Sequence, residues 1–188
     1  MSVGIIFFTV AMVLFMGLEL HLHLRERGRG DDSQDAGSLK TIAILRHAAF
    51  IIALVAAFFP LLPLPGGRPL QLNVGAALIL SCLVLRAWAM GKLGASFTSA
   101  VMTRAGQKLI TDGPYKFVRH PAYSGALLFY LGLGTASGSV VGLGLIMIVT
   151  VYAFHRRMQV EERVLSSWFG EEYIAYMNKT KRIIPFLY

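Results

Sequence analysis

Two short polar blocks carry the residue types that could do chemistry. The first reads Gly113-Pro114-Tyr115-Lys116-Phe117-Val118-Arg119-His120-Pro121-Ala122-Tyr123. The second is Glu161-Glu162, preceded by His155, Arg156 and Arg157. Pro121 has no N–H and suits the first turn of a helix, so Arg119 and His120 are predicted at a helix mouth. Unpaired amides at such a mouth favour an anion. Arg119 can add a two-pronged grip on a carboxylate. Adjacent Glu161 and Glu162 can accept hydrogen bonds from a ribose diol or an amine.

These parts complement S-adenosylmethionine. Its carboxylate suits Arg119 and the helix start, and its ribose and ammonium suit the glutamates. Methyl transfer from a sulfonium needs alignment and desolvation more than an elaborate set of catalytic groups. Each residue also has a plainer reading. Arg119 is also the kind of cation that anchors a membrane helix, and His120 is also a helix-end residue. Glu161 and Glu162 also suit a solvated helix face, and Tyr115 and Tyr123 suit a membrane interface. His21 and His23 resemble a metal pair, but two-residue spacing sets them on nearly opposite helix faces. No metal is expected there. Glu19 and Arg86 lie in or near apolar runs and could pair with each other.

The elements that must position these blocks follow from composition. The chain has 188 residues, 55% of them hydrophobic and 15% charged, against about 25% charged in soluble domains. The mean hydropathy is +0.60. A bilayer is the natural solvent for such a chain. The net charge of +8 would suggest nucleic acid in a soluble protein. Here the basic residues lie between apolar runs, which excludes that reading and points to an anionic leaflet. Cys82 is the one cysteine, so no internal disulfide can form. The N-terminus lacks a basic n-region and a cleavage site, so it reads as a membrane helix and not a signal peptide.

A spanning helix needs about 20 mostly apolar residues. Residues 3–24, 48–67 and 69–90 qualify. The uncharged stretch from Pro121 to Phe154 is split by small residues at Gly134-Thr135-Ala136-Ser137-Gly138-Ser139, predicting a hairpin of spans 121–136 and 139–155. The expected fold is all-α: one polytopic bundle, 1–188, of about five transmembrane helices. Segments 91–120 and 156–188 lie outside the bilayer. Arg157 to Asn178 is predicted as an amphipathic interfacial helix broken at Gly170. The loop from Glu26 to Ser38 reads as a flexible polar linker. Basic residues gather on one side, with only Arg68 opposite. The N-terminus is therefore expected outside, and the C-terminus and both polar blocks in the cytoplasm. A prokaryotic inner membrane is the preferred location.

The two blocks are similar to the signature of the isoprenylcysteine carboxyl methyltransferase and phospholipid methyltransferase family. The resemblance rests on Lys108-Leu109-Ile110-Thr111-Asp112-Gly113-Pro114-Tyr115, then Arg119-His120-Pro121-x-Tyr123. It continues in Glu161-Glu162-Arg163-x-Leu165, Phe169-Gly170-Glu171-Glu172-Tyr173-x-x-Tyr176 and Arg182-Ile183-Ile184-Pro185. It covers roughly Gly91 to Pro185. It implies a polytopic methyltransferase without a Rossmann domain, using S-adenosylmethionine and a lipophilic acceptor drawn from the bilayer. By position, His120, Pro121 and Tyr123 would contact the cofactor, and Lys108, Leu109, Gly113 and Tyr115 would line its pocket. Arg119 and Glu162 would bracket the reaction site, with Glu161 in support. An isoprenylcysteine-type carboxylate and a phospholipid amine both remain open as acceptor; an amine must lose a proton, which Glu162 or His120 could take. An NADPH-dependent membrane reductase and a non-catalytic membrane protein are the competing readings.

Overall fold

The computed structural model describes residues 3–26, 38–94 and 108–188. The linker after Glu26 and the segment 95–107 lie outside the described residues. Among those described, the architecture is all helix: α1 (Val3–Glu26), α2 (Ser38–Phe58), α3 (Gly67–Leu93), α4 (Pro121–Ser137), α5 (Val140–Phe169) and α6 (Glu171–Lys179). A 3-10 turn at Gly113–Lys116 precedes α4. Helices satisfy their own backbone groups, which a hydrocarbon solvent demands.

Four described helices, α1, α2, α3 and α5, are long and apolar enough to cross a membrane. α4 has 17 residues, about 25 Å at 1.5 Å each, and packs along α3 and α5. Among the described residues the bundle is therefore built of five apolar helices, with α4 the shortest. Two boundaries differ from the sequence reading. α2 spans Ser38–Phe58 and not 48–67, because Pro60, Pro63 and Pro65 force the chain out of helix after Phe58. α5 runs through Phe169 instead of stopping near residue 155. His155, Arg156 and Arg157 end the apolar stretch without ending the helix. The expected interfacial helix is thus two pieces, the last turns of α5 and the nine-residue α6 after Gly170.

Contacts fix the directions. Gly4 of α1 lies against Pro69 and Asn73 of α3, and Glu19 meets Arg86 at 2.5 Å, so α1 and α3 run parallel. α4 returns beside α3: Gly125 lies by Cys82 and Gly132 by Gly75. At the hairpin, Gly138 adopts φ 78° and Ser139 caps α5 by accepting from the Gly142 amide at 3.1 Å. Arg68 donates to the Ala136 carbonyl and closes that end. The opposite end holds the starts of α2 and α4 and the exit of α5, and there the polar blocks meet.

The interior is small. Phe129 stacks on Phe15 with centroids 3.8 Å apart and meets Phe50 and Tyr130 at 6.0 and 5.2 Å. Many large apolar side chains face outward, among them Leu14, Ile51, Leu54, Val84 and Ile148, as a lipid-facing surface requires. In lipid, helices associate through close packing at small residues. A Cβ on Gly132 would fall 2.6 Å from the Gly75 carbonyl oxygen, and one on Gly75 would fall 2.7 Å from that of Gly132. Gly132→Leu is therefore expected to cost about 1–3 kcal/mol by overpacking, seen as a lower unfolding temperature in detergent. Gly144→Ala, where an added Cβ meets nothing within 4 Å, is expected to leave that temperature unchanged.

Candidate functional site

The site begins where the chain re-approaches α3. Lys92 Nζ holds Asp112 Oδ2 at 2.6 Å, and the aliphatic part of the Lys92 side chain lies against Gly113. The 3-10 turn then buries Tyr115, whose carbonyl accepts from the Tyr176 hydroxyl at 2.7 Å. Beyond it the chain pairs with the tail. Val118 and Lys181 form a parallel bridge. The Arg119 amide donates to the Lys181 carbonyl at 2.8 Å, and the His120 amide to that of Arg182 at 2.9 Å. Ser124 Oγ donates to the Ile183 carbonyl at 2.6 Å. This stitching sets Arg119 and His120 against the outer turns of α5.

Glu162 is the hub. The residue is 8% exposed. Oε1 accepts from Arg119 Nε at 2.6 Å and Arg182 Nε at 3.0 Å, and lies 3.2 Å from His120 Nε2. Oε2 accepts from Arg182 Nη2 at 2.7 Å. The cations are held in turn. Arg119 Nη1 donates to the Thr180 carbonyl at 2.6 Å, and Arg182 Nη1 to the Tyr188 hydroxyl at 2.9 Å. That hydroxyl lies 2.6 Å from His155 Nδ1. Glu161 is looser, with Oε2 3.8 Å from His120 Nδ1 and its side chain 31% exposed. Tyr123 presents its ring edge-on to His120 at 5.6 Å and accepts from Arg157 Nε at 3.3 Å.

The electrostatics follow from these contacts. The hydrogen bond to Glu162 holds the Arg182 guanidinium above its ordinary value, against burial. Burial pushes the phenols of Tyr115, Tyr173 and Tyr176 well up, so all three remain neutral donors. A groove of about 250 Å³ beside the cluster is lined by Arg119, Met177, Thr180, Arg182, Leu187 and Tyr188.

A family model described as phospholipid methyltransferase matches residues 70–172. The chain belongs to the phospholipid methyltransferase family. The match runs from the first turn of α3 into α6 and takes in Arg119, His120, Glu161 and Glu162. Protein-S-isoprenylcysteine O-methyltransferase B of Arabidopsis thaliana is 31% identical over 117 residues, 61% of this chain and 59% of that protein. The protein-S-isoprenylcysteine O-methyltransferase of Schizosaccharomyces pombe is 36% identical over 105 residues, 55% of this chain and 44% of that protein. The chain thus spans 59% and 44% of the length of these two relatives. The solved structure of the eukaryotic intramembrane Ras methyltransferase ICMT has the same fold. It matches with TM-score 0.60 at 22% identity, over 78% of this chain and 52% of that one.

Within this family fold, Arg119, His120, Glu161, Glu162 and Tyr123 converge as the sequence anticipated. Pro121 opens α4 and is buried. Tyr115 joins through Tyr176. Lys108 is exposed and Leu109 half-buried, and both precede the cluster along the chain. The helix start is less open to an anion than expected, because the Tyr123 and Ser124 amides already donate to the His120 carbonyl at 3.0 and 3.1 Å. Arg182, Thr180 and Tyr188 were not singled out as site residues from the sequence, and His155 was named only as a flank of Glu161-Glu162. Arg182 stood in the tail block of the resemblance, but nothing in one dimension pairs it with Glu162, twenty residues away.

Removing one partner of a buried ion pair leaves the others uncompensated, at about 3–5 kcal/mol. Glu162→Ala is expected to lose that much in detergent unfolding. Glu171→Ala, at an exposed position, should stay within about 0.5 kcal/mol of the parent.

Proposed function

We propose that the chain is a membrane methyltransferase that moves a methyl group from S-adenosylmethionine to a lipophilic acceptor, an isoprenylcysteine-type carboxylate or similar. One observation carries this reading. A chain of the methyltransferase family folds its Arg119, His120, Glu161 and Glu162 into one cluster at the mouth of an apolar bundle. The activities for which the relatives are named support it. The family description favours a second acceptor, a phospholipid amine.

The residues present fit the cofactor. Arg119 and Arg182 line the groove and offer cations for a carboxylate. Glu161 keeps accepting capacity for an ammonium or a diol. Leu187, Met177 and Tyr188 give the groove apolar and aromatic walls. When bound, S-adenosylmethionine supplies an electrophilic methyl on a sulfonium. The protein's own task is placement. Arg119 and Glu162 bracket the reacting centre, and His120 is held between the two glutamates. By the family resemblance, His120, Pro121, Tyr123 and Glu161 would contact the cofactor, and Lys108, Leu109, Gly113 and Tyr115 would line its pocket. A carboxylate acceptor needs no base, whereas an amine must lose a proton to a neighbouring group. The acceptor enters this mouth from the bilayer.

The reading places the polar mouth in the cytoplasm, with the N-terminus outside, in a prokaryotic inner membrane. The support for the orientation is the charge asymmetry, with Arg68 the sole basic residue at the hairpin end among the described residues. In intact cells, Leu61→Cys is expected to react with a membrane-impermeant maleimide, and Lys116→Cys only in inverted vesicles. The reverse pattern would reject this orientation.

Purified protein in detergent is expected to bind S-adenosylmethionine saturably. Arg119→Ala should weaken binding about 10- to 100-fold, the worth of a charge-assisted hydrogen bond. Labelled methyl should pass into an isoprenylcysteine acceptor and be released by mild alkali, as a methyl ester is. Alkali-stable label in a phospholipid extract would select the amine acceptor. No binding at millimolar cofactor and no transfer would reject both.

A further inference from the structure

The hydroxyl of Tyr173 has no role in the site as described. Tyr173 is 1% exposed, and its hydroxyl lacks a hydrogen-bond partner among the described residues. A buried hydroxyl without a partner is destabilising, and phenylalanine would fill the same space without that cost. Tyr173 is also firmly placed. It shares the buried face of α6 with Tyr176, the ring centroids lying 5.9 Å apart. Tyr176 is tied to the Tyr115 carbonyl, and Thr180, one turn on, accepts Arg119 through its own carbonyl. Residues 173, 176 and 180 fall at helical spacing on one side of α6 and its C-cap, so the orphan hydroxyl lies on the side of α6 that closes the polar cluster.

We propose that the Tyr173 hydroxyl is a ligand-binding group that donates a hydrogen bond to the carboxylate at the amino-acid end of S-adenosylmethionine, beside Arg119. This rests on the function proposed above. The choice of ligand group follows from donor and acceptor chemistry. The phenol keeps its proton, since burial first and the neighbouring glutamates next oppose its loss. It is therefore a donor in search of an acceptor. The amino-acid end of the cofactor offers an ammonium, which only donates, and a carboxylate, which only accepts. The ammonium suits the glutamates. The carboxylate suits Arg119 and the phenol. Binding then supplies the partner that the free protein withholds from this hydroxyl.

The test is Tyr173→Phe in the full-length protein in detergent, which removes one oxygen and keeps the ring. Two probes are titrated. S-adenosylhomocysteine carries the amino-acid end, and methylthioadenosine lacks it. The variant is expected to unfold at the parent temperature or higher, because no native hydrogen bond is lost. Its affinity for S-adenosylhomocysteine should fall about tenfold, the worth of one hydrogen bond to a charged group. Its affinity for methylthioadenosine should change by less than about twofold. Unchanged affinity for S-adenosylhomocysteine would overturn the proposal and assign the hydroxyl to a buried water. Equal losses for both probes, or a lower unfolding temperature, would overturn it in favour of a structural role. A parent protein that binds neither probe would overturn the proposed function together with this inference. A parent that binds both, with an insensitive variant, would overturn this inference alone.

Discussion

A carboxylate withdrawn from water must recover in fixed hydrogen bonds what it loses in hydration. Glu162, at 8% exposure, imposes that requirement on everything near it. Its position on α5 is set by helix geometry, so the donors must come to it. Two come from the segment before α4, as Arg119 and His120, and one from the tail, as Arg182. Neither segment has a regular element to hold it there. They hold each other, through backbone bonds from residues 119 and 120 to residues 181 and 182. The short parallel pairing is thus a consequence of the buried charge. The α6 tyrosines then close the far side, with Tyr176 reaching the Tyr115 carbonyl.

The bilayer explains why such a cluster forms at one end only. Between lipid-facing helices there is little hydrophobic drive to associate, and contact at small residues takes over. The Gly75–Gly132 approach brings α3 and α4 together at backbone distance. That leaves no room for polar side chains along their interface, and most charge is displaced to the helix ends. Arg86 is the exception that joins the two regimes. It lies on α3 inside the bundle, pairs with Glu19 at 2.5 Å, and donates to the Ala122 carbonyl at 3.3 Å. One guanidinium therefore ties α1, α3 and the start of α4 just behind His120.

Hydropathy made the helices legible, because each long apolar run has one solution in lipid. Their ends were less so. Pro60, Pro63 and Pro65 mark the loop after α2, yet the apolar count continued through them and carried the expected span to residue 67. At α5 the error ran the other way. Charge at residues 155–157 marks the end of the apolar stretch, but Arg, Gln and Glu are good helix formers, so the helix continues to Phe169. The converging residues of the two blocks were visible because both flank one apolar hairpin. Arg182 and Tyr188 were not, since pairing across a chain reversal leaves no periodic trace. The burial of Tyr173 and Tyr176 was missed for a related reason. Tyrosine on an amphipathic helix reads as an interface residue until a partner surface covers it.

The two glutamates divide the work according to how many of their acceptor sites are filled. Glu162 has both oxygens engaged by two guanidiniums, with His120 Nε2 at 3.2 Å. Glu161 Oε2 stands 3.8 Å from His120 Nδ1, and the Glu161 side chain is 31% exposed. Glu161 is left as the acid with room to accept, at the more open edge of the cluster. On the methyltransferase reading, Glu162 fixes Arg119 and Arg182 while bracketing the reacting centre with Arg119, and Glu161, which already accepts from the Tyr123 hydroxyl, is the more exposed carboxylate. Two adjacent, identical side chains thus acquire different chemistry because one helix position turns inward between the cations and the next stays at the rim.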